Sequence, residues 1–266
     1  MKKRLFGLAL FALILTAFSA CGAKIEQAPK APAYLPMEEC PAIFEDWVHE
    51  GASLLSTGLY SGGESASFII ADTYPSVKQY YLSLIEEKGF STEAPRSPAS
   101  DENFASIKAK SSDGTQSLFL LIAKQDKEVS LSLSIGESGP GSPLSPDSLP
   151  EALRPWPGEG AVIESLDHYA RLDALSFYSP LPYDSLKEDY EAMLEAQGFQ
   201  IVRSAKESII DGEKGWNIDA QKDGGLWQIG IMIMDLPEGS DFSSLPEAQN
   251  HFSYLSIELY HADEVS

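Results

Sequence analysis

Two cysteines among 266 residues exclude a disulfide framework, and four histidines leave little for metal or general-base chemistry. Positive charge is scarce as well: 19 Lys+Arg stand against 40 Asp+Glu, a net −21. Such a surface repels phosphate backbones and anionic headgroups, so nucleic acid is not an expected partner, nor should the body lie flat on a membrane. Also missing are zinc-type ligand spacings, an Asp-x-Asn/Asp-x-Asn/Asp-Gly calcium loop, a glycine-rich phosphate cradle and a Gly-x-Ser-x-Gly elbow. No metal and no cofactor are therefore expected. The one long apolar run is confined to residues 5–18.

What is present starts with that run. Lys2, Lys3 and Arg4 precede 14 uncharged residues, the order of a signal peptide over residues 1–20. As a helix the run is roughly 21 Å long, short of the ~30 Å hydrocarbon core. Phe18-Ser19-Ala20-Cys21-Gly22 closes it and resembles the lipobox of bacterial lipoproteins, with Phe18 in place of the usual aliphatic residue. The resemblance implies diacylglycerol on the Cys21 sulfur and cleavage between Ala20 and Cys21. Lipid would then be the whole anchor, since two or three acyl chains, at ~0.8 kcal/mol per buried CH₂, suffice to hold a folded body. With residues 1–20 removed, 16 Lys+Arg face 40 Asp+Glu, net −24, and Cys40 has no partner in the chain. Residues 21–40, carrying Pro29, Pro32 and Pro36, read as a tether.

Sliding the chain on itself by 109 residues aligns 41–90 with 150–199 without a gap, with 16 of 50 positions identical. Pro41/Pro150, Trp47/Trp156, Gly51/Gly160, Tyr60/Tyr169, Phe68/Phe177, Tyr81/Tyr190 and Gly89/Gly198 are among them. The match predicts two tandem units, 41–137 and 150–262. In each, an apolar stripe marks a helix: Val77, Tyr80, Tyr81, Leu84 and Ile85 in the first, and Leu186, Tyr190, Met193 and Leu194 in the second. Pro75 suits a first turn, Ser185 or Asp184 a cap, and Gly89 and Gly198 a left-handed stop.

Two strands are predicted before each helix, at 52–60 and 67–71 and at 161–169 and 172–179. A hairpin follows each helix. Around Asp223-Gly224, a two-residue turn would set Ala220 opposite Trp227, Ile218 opposite Ile229 and Trp216 opposite Ile231. The loop holding Asp113-Gly114 would set Ala109 opposite Leu118 and Ile107 opposite Leu120. Closing strands at 129–135 and 252–260 share Leu-Ser-Ile. The expected fold class is α+β, two tandem repeats, each an antiparallel sheet with one amphipathic helix on one face. Between them, six prolines in 139–157 suggest a stiff linker, centred on 138–149, and 236–250 is an insertion in the second unit. Pro155-Trp156-Pro157-Gly158-Glu159-Gly160-Ala161 with Tyr190, Leu194, Gly198 and Phe199 resembles a small exported domain found in many bacterial lipoproteins. The first unit departs from it at Val48-His49, and no site residue comes with the resemblance.

Individual candidates for chemistry are weak. None of His49, His168, His251 and His261 recurs at the 109-residue offset, and each is better explained as a surface or hydrogen-bonded side chain. Glu50 and Glu159 recur, but one carboxylate beside a turn is usually a cap or solvated. Asp235, Glu238 and Asp241 are too irregularly spaced to argue a cation site. Trp47 and Trp156 suit either ligand platforms or plugs at a sheet end, the recurrence favouring plugs, while Trp216 and Trp227 suit a hairpin's inner face. The expected function is a non-catalytic envelope lipoprotein that binds an envelope protein or ligand. It would be anchored through Cys21 to the cell membrane or outer membrane and face the periplasm or exterior. The alternative is an envelope hydrolase whose site is assembled from distant residues.

Overall fold

The computed structural model describes residues 34–93, 103–204, 208–210, 213–237, 240, 242 and 245–261. Residues 1–33, which hold the expected signal peptide, Cys21 and most of the expected tether, lie outside the described residues, as do Glu238 and Asp241.

Alternation of apolar and polar residues builds the strands. They are β1 (Ala52–Tyr60), β2 (Gly63–Ile70), β3 (Phe90–Thr92), β4 (Phe104–Ser111), β5 (Gln116–Gln125) and β6 (Glu128–Glu137). After these come β7 (Val162–Tyr169), β8 (Leu172–Ser179), β9 (Gln200–Ser204), β10 (Ser208–Ile210), β11 (Glu213–Lys222), β12 (Trp227–Asp235) and β13 (Ser253–His261). Two α-helices are described, α1 (Tyr74–Glu87) and α2 (Tyr183–Ala196). Val77, Tyr81, Leu84 and Ile85 form the buried stripe of α1, and Leu186, Tyr190 and Leu194 that of α2. Asp72 anchors the start of α1, accepting from the Thr73 amide at 2.6 Å and the Ser76 hydroxyl at 2.8 Å. The start of α2 departs from expectation, for it begins at Tyr183 behind Pro182 with no side-chain cap. Both helices stop at glycines with positive φ, Gly89 at 77° and Gly198 at 80°, a conformation that L side chains resist.

The expected fold class is overturned. The strands do not close into two separate α+β repeats; all thirteen belong to one antiparallel sheet, ordered β10-β11-β12-β13-β8-β7-β1-β2-β6-β5-β4-β3, with β9 also on β11. The cause is the pairing of β1 with β7, where Ser56–Tyr60 run antiparallel to Ser165–Tyr169. Two strands that alternation alone would leave as edges thereby satisfy each other's backbone groups. Extended chain dominates, with helices packed on one face only.

That face carries two clusters of buried side chains. Phe44, Trp47, Leu54, Phe68, Tyr81 and Leu120 belong to one; Trp156, Ile163, Phe177, Tyr190, Ile231 and Leu255 belong to the other. The proline-rich stretch is no free spacer: Leu144 donates its amide to the Ile163 carbonyl at 3.0 Å, and Leu149, Leu153 and Trp156 are buried. Residues at the end of the expected tether are also engaged, Leu35 being buried with its amide 2.9 Å from the Leu54 carbonyl.

The β4–β5 register is the expected one, Ala109 facing Leu118 and Ile107 facing Leu120. In β11–β12 the register slides by two residues, pairing Ala220 with Ile229, Ile218 with Ile231 and Trp216 with Ile233. Lys222 pairs with Trp227, so the loop has four residues instead of two, with Asp223, Gly224 and Gly225 all at positive φ. Because the slide is even, Trp216, Ile218 and Ala220 keep facing the core.

Each cluster is tied to its entry turn by a tyrosine on the helix. Tyr81 donates its hydroxyl to the Trp47 carbonyl at 2.8 Å, and Tyr190 donates to the Trp156 carbonyl at 2.6 Å. Removing either hydroxyl strands a buried carbonyl, so Tyr81→Phe and Tyr190→Phe should each lose about 1–2 kcal/mol of stability. Urea midpoints identical to the parent's would show that these bonds contribute nothing.

Candidate functional site

Residues directly opposite across a ladder share a face, which sorts every outward side chain. On the face away from the helices, β2 and β6 present Ser65, Ser67, Ser130, Ser132 and Ser134, with Ser67 and Ser132 hydroxyls 3.2 Å apart. Beyond the β1–β7 seam the same face changes character. Tyr169, Tyr178, Tyr254 and Tyr260 rise from it, all half-buried, with the carboxylates of Asp167, Glu258 and Asp219 and, at the β7 bulge, Glu164.

The register places three of these acids in one row. Asp167 pairs with Gly58 on one side and Ala174 on the other; Ala174 faces Glu258, Glu258 faces Gly230, and Gly230 faces Asp219. Strands lie about 4.8 Å apart, so carboxylates recur every 9–10 Å or so with small residues between them. Tyr169 and Tyr260 border this row on one side; on the other come Ser165, Ser176 and Ser256, and then Tyr178 and Tyr254. All of these side chains stand on one face of the sheet. Gly58 leaves room beneath them: a Cβ there would stand 2.5 Å from Asp167 Oδ1 and closer still to Ser65 Oγ, so both side chains would have to shift.

The acids differ in how they are satisfied. Glu164 Oε1 accepts from the Tyr178 hydroxyl at 3.2 Å and is bonded by Tyr254 as well; burial still raises its pKa, the tyrosine hydrogen bonds opposing the shift. Glu258 Oε2 accepts from the Tyr260 hydroxyl at 3.2 Å, and burial, with the charge of Asp219 adding, again raises its pKa. Asp219 pairs with Arg203, Oδ2 to Nη2 at 2.6 Å. Asp167 alone has no hydrogen-bond or ion-pair partner among the described residues, and burial pushes its carboxyl from 3.8 up to about 7. Tyr60, at the near end of the seam, is pushed up to about 12 by burial and then by Glu64. Phe242, from the 236–250 insertion, meets Tyr178 edge-on at 5.5 Å, and Tyr178 meets Tyr254 edge-on at 5.2 Å.

The residues singled out from sequence lie elsewhere. Trp47, Trp156 and Trp216 are buried in the cores, Trp47 edge-on to Phe90 at 5.9 Å and Trp156 edge-on to Phe199 at 6.1 Å. Trp227 is half-buried, with Lys222 Nζ 5.5 Å from its ring. Glu50 and Glu159 are exposed. His49 Nδ1 lies 2.6 Å from the Glu50 carbonyl, His168 Nδ1 2.6 Å from Asp173, His251 Nε2 3.0 Å from the Gly160 carbonyl, and His261 against Trp227. Cys40 packs on the first core, and burial, then Glu45, raises its thiol pKa, which disfavours the thiolate a nucleophile needs.

Among the described residues, no group of three or more His, Cys, Asp or Glu side chains could hold a metal ion, and no helix is long and apolar enough to cross a membrane. Open depressions occur on the outer side of α1, about 540 Å³ beside Tyr80 and Glu87, and near the start of α2, about 210 Å³ beside Asp184 and Phe252. Comparison of the chain with protein-family models, with curated proteins and with solved structures found no match.

Proposed function

We propose that this chain is exported and held at a membrane by lipid on Cys21, and that its folded part is a non-catalytic binding module. Its ligand lies on the tyrosine- and carboxylate-bearing half of the open sheet face. The observation supporting this site is Asp167, a half-buried carboxyl beside the tyrosines of this face that has no protein partner among the described residues. Partial burial of such a group costs stability, part of which a ligand's positive charge or N–H donors would restore. Tyrosine faces attract cations, and the chain's net −21 draws them in.

Two measurements test the two halves of the proposal. Mass spectrometry of the mature protein should find a diacylglyceryl modification on Cys21; an unmodified thiol would refute the anchor. Calorimetric titration with spermidine, tetralysine and a neutral oligosaccharide should reveal binding that weakens at least about tenfold, or ~1.4 kcal/mol, in Asp167→Ala. Binding of any of the three that ignores Asp167→Ala, Tyr169→Ala and Tyr260→Ala would remove the face from consideration. A carboxyl near neutrality also suits a general acid, which favours the hydrolase alternative as a second reading. That alternative requires turnover of an envelope polymer that Asp167→Asn abolishes.

A further inference from the structure

We infer that the β1–β7 seam takes one primary ammonium group, bridged between Asp167 of the second half and Ser65 of the first over the bare backbone of Gly58. This site lies on the ligand face proposed above and rests on that reading. The register sets Ser56 opposite Tyr169, Gly58 opposite Asp167 and Tyr60 opposite Ser165. At the 109-residue offset, Ser56 corresponds to Ser165, Gly58 to Asp167 and Tyr60 to Tyr169. Exchanging the halves therefore maps the ladder onto itself, and a local two-fold axis passes through the Gly58–Asp167 pair, where a residue faces its own counterpart. Asp at both positions would set two carboxylates against each other, and Gly at both would leave none. The difference between the halves creates a single site that two identical halves would lack.

The rung through this axis reads Ser65, Gly58, Asp167, Ala174 across β2, β1, β7 and β8. Ser65 Oγ and Asp167 Oδ1 both come within 2.5 Å of the point where a Cβ on Gly58 would stand, so the two oxygens are no more than about 5 Å apart. Neither side chain has a hydrogen-bond partner among the described residues, and both are half-buried, within reach of a ligand. A tetrahedral nitrogen donating to two oxygens at about 2.8 Å holds them roughly 4.6 Å apart, which fits that limit. Calcium does not fit, because it takes about six to eight oxygens. Guanidinium is planar and matches the paired oxygens of one carboxylate, whereas these acceptors come from separate side chains on β2 and β7. A hydrogen bond to Ser56 across the seam holds the Tyr169 side chain beside the site, giving an apolar wall for the carbon stem that carries the ammonium. Tyr60 leans the other way, over Gly63 and Gly136.

Calorimetric titration of the full chain at about pH 8, where Asp167 is ionised, tests the site. Nα-acetylated tetralysine should bind. The same peptide with every Nε trimethylated keeps its side-chain charge and loses the N–H donors, and should bind at least about tenfold more weakly. Attraction to tyrosine faces alone would not make that distinction. Ser65→Ala should weaken tetralysine about three- to tenfold and leave the trimethylated peptide unchanged. Ser67→Ala, whose hydroxyl already meets Ser132 at 3.2 Å, should change neither. Spermidine identifies the source: tighter binding than tetralysine assigns a free polyamine and weaker binding a lysine side chain, and either supports the site when Ser65→Ala reduces it. Equal affinity for the two peptides, or tetralysine binding that Ser65→Ala leaves intact, would overturn the inference. A neutral oligosaccharide that binds alone and is lost in Asp167→Ala would also overturn it while keeping the face as the ligand site; binding by none of these probes would remove the face as well.

Discussion

Replacing Asp167 with Asn is expected to make the protein more stable at about pH 8, by roughly 2–4 kcal/mol, although it removes a charge and adds no apolar contact. Burial holds the folded carboxyl at about 7 in place of 3.8. Between those values the folded chain retains a proton that the unfolded chain has already lost. Stability is therefore greatest below the lower value and falls as pH rises towards the upper one, the reverse of a salt-bridged aspartate. Glu164 and Glu258 shift the same way, also through burial, and steepen the descent. The amide introduced by Asp167→Asn does not titrate, so the variant's profile should be shallower. Urea unfolding at a series of pH values checks this, and a parent whose stability climbs between about pH 4 and about pH 7 would contradict it.

A second large effect should follow Phe177→Ala. Phe177 is fully buried in the second core, on β8 between β7 and β13. Truncating it leaves a cavity in packed surroundings, a loss of about 3–5 kcal/mol. The continuous sheet determines how that loss is distributed. Because β1 and β7 are joined by five residue pairs, weakening the second core should also lower protection of amides in β2 and β6. Hydrogen exchange confined to β8 through β13, with the first half untouched, would show that the seam does not transmit stability.

Much of the local structure is legible in the sequence. The stripes of α1 and α2, the left-handed stops at Gly89 and Gly198 and the β4–β5 register all follow from short-range periodicity and turn chemistry. The β11–β12 loop departs from expectation because Asp223-Gly224 suits a two-residue turn, whereas Gly225 permits a third left-handed residue and a longer loop. The seam is not legible, since alternation says which side chains turn inward but not which strand lies alongside. At the seam Gly58 leaves room for Asp167, a pairing visible only once both strands are placed.

The candidate site escapes sequence reasoning for a related cause. Requiring a functional residue to recur at the 109-residue offset selects core positions such as Trp47/Trp156 and Tyr81/Tyr190. It discards Asp167, aligned with Gly58; Glu164, aligned with Leu55; and Tyr178, aligned with Ile69. A usable signal is present in β13, where Tyr254, Ser256, Glu258 and Tyr260 alternate with Leu255, Ile257 and Leu259. Large aromatic rings and an acid on the parity opposite the core distinguish this face from the serine-bearing one of β2 and β6.

The junction of Ser56–Tyr60 with Ser165–Tyr169 also governs what a fragment would do. Cut the chain between β6 and β7, and each piece exposes a row of naked amides and carbonyls that had been sealed inside the molecule. Such a border is a template for any extended chain, including another copy of the same piece. Isolated pieces should therefore self-associate, and a truncated form produced for crystallography would be best made with that border blocked by proline or lysine.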